Sequence, residues 1–101
     1  MAKSLVATGS VTGTGSDIVV STDELSFKPV RVEVRNLTSG DELVWTPANG
    51  DGGATKRVAA GTASVITSGG IKDVALDTFT IGTDADVNAS GESLAWTAFG
   101  Q

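Results

Sequence analysis

The sequence contains no cysteine, no histidine and no tyrosine. Without cysteine there is no disulfide, no iron–sulfur ligation and no thiolate zinc site. Without histidine the commonest general base and the commonest metal ligand are both missing. Aromatic residues make up 5% of the chain, three phenylalanines and two tryptophans. A core must therefore be built mostly from valine, isoleucine, leucine and alanine. No apolar run approaches the length that spans a bilayer. The opening stretch, MAKSLVATGS, has one lysine but lacks the apolar centre of a secretory signal. The expectation is a chain made and folded in a cytoplasm.

What is present is a chain of 101 residues, the size of one domain. It carries 12 acidic and 7 basic side chains, a net charge of −5. Binding to a phosphate backbone or an anionic bilayer relies on clustered lysine and arginine. The chain is acidic and has no basic run, so neither nucleic acid nor a membrane is expected as a partner. The 13 glycines and scarce aromatics leave a thin core, which favours oligomerisation or attachment to a larger body.

Alternation with a period of two dominates. In residues 30–37, VRVEVRNL, Val30, Val32 and Val34 share one face, and Arg31, Glu33 and Arg35 share the other. Charge alternation of this kind marks a solvated face. Residues 77–99 read as two apolar strands around an Asp-, Asn-, Ser- and Gly-rich loop, an organising hairpin. Phe79 and Ile81 face inward and Thr78 and Thr80 outward. In the second strand Leu94, Trp96 and Ala98 oppose Ala95, Thr97 and Phe99. Neither of those two faces is strongly polar, which suits burial on both sides. Shorter β-rich runs fall at 17–22, 42–46, 55–60 and 62–67. Residues 71–76 fit a strand or a helical turn, and 23–26 a bend or a single helical turn. Residues 1–16 read as a flexible Gly/Ser/Thr-rich arm or an edge strand, with the β domain spanning 17–101. Residues 36–41 form a turn, and 47–54, PANGDGGA, an exposed tip loop whose Asn-Gly and Asp-Gly pairs suit positive φ. No segment holds a helical period. The pattern predicts an all-β, antiparallel sandwich or a small barrel.

Few residues suggest chemistry. Asp84, Asp86 and Asn88 begin like a calcium loop, but Ala89 stands where such a loop needs glycine and Glu92 comes too early. Turn formation is the better account. Asn36-Leu37-Thr38 and Asn88-Ala89-Ser90 match the glycosylation sequon, without the secretory signal that would make it matter. The carboxylate neighbours Asp23/Glu24 and Asp41/Glu42 would point to opposite strand faces, which argues against paired acid–base work. Lys56-Arg57 reads as a solvated basic pair or half of an intersubunit ion pair. Trp45 and Trp96 lie on apolar faces and read as core. No catalytic residue, cofactor or metal is expected.

The segments GSVTGTGS, FKPVRVEV, FTIG and DVNASGESLAWTAF together resemble a group of small tailed-bacteriophage virion proteins and fibre-tip modules. That group has an F-x-P-x-x-V lead-in to a strand and a V-N-x-S-G turn before a W-x-A-F strand. Here the matching residues are Phe27, Pro29, Val32, Val87, Asn88, Ser90, Gly91, Trp96, Ala98 and Phe99. The resemblance implies a non-enzymatic virion structural protein with a jelly-roll-like sandwich. The expected role is capsid decoration, cementing the outer head surface. Its partners would be the major capsid protein and copies of itself, as a homotrimer, and its location the virion. A tail-fibre or tail-tip module that binds a host receptor or glycan is the alternative.

Overall fold

The computed structural model describes residues 5–21, 26–59 and 61–100. The bend or helical turn expected over 23–26 falls largely outside the described residues. Nine strands follow in order: β1 (Val6–Thr12), β2 (Ile18–Ser21), β3 (Arg31–Asn36), β4 (Glu42–Trp45), β5 (Ala54–Arg57), β6 (Ala63–Ile66), β7 (Ile71–Ala75), β8 (Thr78–Ile81) and β9 (Ser93–Phe99). One 3-10 turn, Pro47–Asn49, lies between β4 and β5. There is no α-helix among the described residues.

The strands form two antiparallel sheets, one of six strands in the order β1-β9-β3-β4-β5-β6 and one of three in the order β2-β8-β7. The ambiguous stretch after Gly70 is therefore a strand, β7, with a bulge between Lys72 and Ala75. Residues 6–12 are an edge strand, paired with β9 from Val6↔Phe99 to Thr12↔Ser93.

The organising hairpin does not form. β8 pairs with β2 and β7, whereas β9 pairs with β1 and β3. The polar loop between β8 and β9 carries the chain from one sheet to the other. Alternation fixes which face of a strand is apolar, but not which sheet the strand joins. What the two strands share is the core between the sheets. The rings of Phe79 on β8 and Trp96 on β9 meet edge to face, with centroids 5.4 Å apart and planes at 75°.

Around that contact lie Val32, Val34, Leu43, Ile71, Ile81 and Leu94, all fully buried. Both tryptophans are core residues, at 6% and 3% exposure. Val30 is only half-buried, because β3 begins one residue later. Thr80, expected to face outward into solvent, is also buried.

A column of glycine backbone joins the two sheets. Gly70 N donates to Gly52 O at 2.9 Å, Ile71 N to Gly53 O at 3.1 Å and Gly82 N to Gly70 O at 2.7 Å. A Cβ at Gly70 would collide with Gly53 O, and one at Gly82 with Gly70 O, so only glycine permits this approach. The 47–54 loop is therefore not simply a tip. Its first half is exposed, but Gly53 and Ala54 are buried.

Candidate interaction surface

The residues that look most reactive in the sequence meet at one end of the sandwich, and they serve the fold. Asn88 is fully buried. Its Oδ1 accepts from Thr14 N at 2.9 Å and Gly15 N at 3.2 Å. Its Nδ2 donates to Ser16 O at 2.7 Å and Gly82 O at 2.9 Å. A neutral amide has two donors and one oxygen with two lone pairs, so its capacity is filled. Asn36, at the end of β3, is the same device. Nδ2 donates to Val87 O at 3.0 Å and Glu92 Oε1 at 2.8 Å, and Oδ1 accepts from Thr38 N and Ser39 N. The sequence placed Asn36 in both the strand run 30–37 and the turn 36–41; it is the last residue of β3, and its side chain holds the turn that follows. Both sequon asparagines are thus buried with every hydrogen-bonding position in use.

The calcium-like triplet is dispersed. Asp84 Oδ1 and Asp86 Oδ2 both bind Lys56 Nζ, at 3.0 and 2.6 Å. Asp84 Oδ2 accepts from Val87 N at 3.2 Å, and Asn88 turns away toward the β1–β2 connection. No group of three or more acidic, histidine or cysteine residues with metal-binding spacing occurs among the described residues. Lys56 is not the solvated cation expected from the sequence, since its side chain is 15% exposed. The alternation of β5 puts Lys56 on the same side as buried Ala54, which is the signal that sequence reasoning missed. The hydrogen bond to Asp86 raises the Lys56 pKa above the ordinary lysine value against the opposing effect of burial, and Asp84 adds to the rise. Lys72 is raised as well, chiefly by its hydrogen bond to Asp17.

The other carboxylates singled out have separate, local roles. Asp41 Oδ1 accepts from Ala59 N at 2.8 Å. Glu42 lies 3.7 Å from Arg57. Asp23 and Glu24 lie outside the described residues.

The largest regular surface is the outer face of the six-stranded sheet. Register places Thr8, Thr97, Glu33, Val44, Thr55 and Val65 in one row across all its strands. The next row is Ser10, Ala95, Arg35, Glu42, Arg57 and Ala63. Val6, Phe99 and Arg31 begin a third. All three arginines of the chain stand on these strands, opposed by Glu33 and Glu42. Three arginines against two glutamates leave this face at +1, on a chain whose net charge is −5. Arg31 binds Glu33 at 2.7 Å and lies 6.0 Å from the centroid of the Phe99 ring. Most of the remaining side chains are small or β-branched. Such a face can be covered at little cost in side-chain entropy.

Seven of the ten residues that carry the phage resemblance are buried: Phe27, Pro29, Val32, Val87, Asn88, Trp96 and Ala98. They shape the core and the asparagine clamp, so they speak to architecture before activity. No protein-family model, curated protein or solved structure matches the chain.

Proposed function

We propose that the chain is a non-enzymatic virion structural protein, a capsid decoration protein that lies on the outer head surface and stabilises the shell. The observation that carries this reading is the outer face of the six-stranded sheet. This sheet face carries every arginine of an otherwise acidic protein among mostly small or β-branched neighbours, which suits contact with an acidic protein surface. The virion assignment itself rests on the sequence resemblance. In this reading the partners are the major capsid protein and further copies of the chain, arranged as a trimer. The jelly-roll comparison belongs to the same proposal and rests on the path of the chain: the β3–β6 meander returns through the second sheet to place β9 beside β3.

The stabilisation is mechanical. A subunit that binds only the assembled shell adds its binding free energy to shell stability. The test is to strip the protein from purified heads and heat both preparations. Earlier melting and leakage of stripped heads is expected, with recovery on adding the protein back. Unchanged melting overturns cementing. Immunolabel at the tail in negative stain would favour a receptor-binding tip instead.

A further inference from the structure

A groove runs along the seam where the free edge of β1 faces β2. Its volume is about 480 Å³, and its lining includes Thr8, Gly9, Ser10, Val19, Val20 and Trp96, with no charged residue in the lining among the described residues. Trp96 forms its floor. The residue is 3% exposed; its indole N–H has no acceptor among the described residues, and it is not fully buried. The N–H of Trp45, by contrast, donates to Gly50 O at 2.9 Å. The indole packs directly on the backbone of Gly9: a Cβ there would lie 2.6 Å from Cζ2 and 2.9 Å from Nε1, so only glycine admits the ring at this position.

The wall beside it also has bonding capacity to spare. Gly13 N donates to Glu92 O, and Gly100 N to Leu5 O, at the two ends of the β1–β9 ladder. The register between them is unbroken, so the odd-numbered residues of β1 face β9. The N–H and C=O groups of Thr8, Ser10 and Thr12 therefore point away from β9, toward the free edge. The edge carries no lysine, no proline, no bulge and no charge, the usual guards against strand addition.

We infer that the β1–β2 seam is a binding site for an extended, uncharged peptide segment of a partner protein, which adds to the edge of β1 as a strand and gives an oxygen acceptor to the Trp96 indole N–H. The chemistry of the groove selects this occupant. Alternating main-chain donors and acceptors recognise another extended backbone. The lack of charge in the lining rejects segments that would bury a lysine or carboxylate there without a partner. The single unpaired indole donor fixes register. The site stands whether or not the chain belongs to a virion.

The test uses the intact protein labelled with 15N, whose two indole signals report separately on Trp96 and Trp45. The probe is a panel of end-capped heptapeptides in which valine alternates with serine, threonine or alanine. Members of the panel are expected to shift the Trp96 indole signal saturably and leave that of Trp45 in place, with little dependence on salt. N-methylation at alternate peptide residues should weaken the response at least tenfold, as should Ser10→Pro. Proline at position 10 removes an N–H that the β1–β9 ladder does not use, so the variant should melt within a few degrees of the parent. The inference is overturned if no peptide moves the Trp96 signal at millimolar concentration, if charged heptapeptides bind equally, or if Ser10→Pro folds and binds as the parent does. It is also overturned if the Trp96 signal moves with protein concentration alone, since the occupant would then be a second copy.

Discussion

The 83–92 loop and the β1–β2 seam treat polar groups in opposite ways. In the loop and its surroundings, Asn36, Asn88, Asp84 and Lys56 are tied to backbone and to one another. No fully buried side-chain nitrogen or oxygen among the described residues lacks a partner. At the seam, the Trp96 indole N–H, which is not fully buried, and alternate main-chain groups of β1 have none among the described residues. The loop contains the residues that sequence reasoning associates with calcium, Asp84, Asp86 and Asn88, and one of the two glycosylation sequons. The seam is lined by glycine, serine, threonine and valine, which suggest nothing. The polar motif is thus consumed in closing the sandwich, and the bonding capacity left over lies in a bland stretch. A polar residue becomes available to a partner only when the fold has not already satisfied it.

The most severe way to break this contrast is at Asn88. Asn88→Ala removes four hydrogen bonds at once and leaves Thr14 N, Gly15 N, Ser16 O and Gly82 O without that partner. A loss of about 3–4 kcal/mol is expected by chemical denaturation. Asn88→Asp should also destabilise strongly. A carboxylate can keep the two acceptor bonds, but it offers no donor to Ser16 O or Gly82 O. If either variant unfolds with the parent, the loop is not the clamp described here.

Lys56→Met is the next test, at about 1–3 kcal/mol, because it leaves Asp84 and Asp86 close together without their cation. The pH dependence gives a sharper signature. The folded-state pKa of Lys56 is raised, so the stabilisation it brings is present in full below the ordinary lysine pKa. It is lost as pH climbs through the raised value. The stability difference between parent and Lys56→Met should therefore hold from neutral pH toward pH 10 and shrink at higher pH. A difference that is already falling near pH 8 would show that the ammonium is not the stabilising group.

How much of this could be read from the sequence depends on the range of the interaction. Strand alternation is local, and it locates β3, β4, β8 and β9 with their inward residues Val32, Leu43, Phe79 and Trp96. Pairing between strands is not local. The polar loop after β8 is long enough to close a hairpin or to cross between sheets, and nothing within it decides which. The asparagine clamps are equally hidden. Asn36 and Asn88 have the composition of turn residues, and their partners lie 51 and 74 positions away in the chain, at Val87 and Thr14. Lys56 could have been found, since it shares a strand face with Ala54 and needs a carboxylate there. The Trp96 groove could not, because it depends on Gly9 and Trp96 becoming register partners across two strands.

The smallest expected effect tests the other side of the contrast. Val19 on β2 lines the seam and is 68% exposed. If the seam is held open by the fold rather than needed by it, Val19→Ser should change stability by no more than about 0.5 kcal/mol. The same substitution shortens an apolar wall of the groove, so the response of the Trp96 indole signal to valine-rich peptides should weaken. A loss of stability as large as that at Asn88 would make the seam part of the closed core, with no free strand edge for a partner to use. A neutral stability with weakened peptide response separates the two regions cleanly: one spends its polar groups on folding, and the other keeps them for contact.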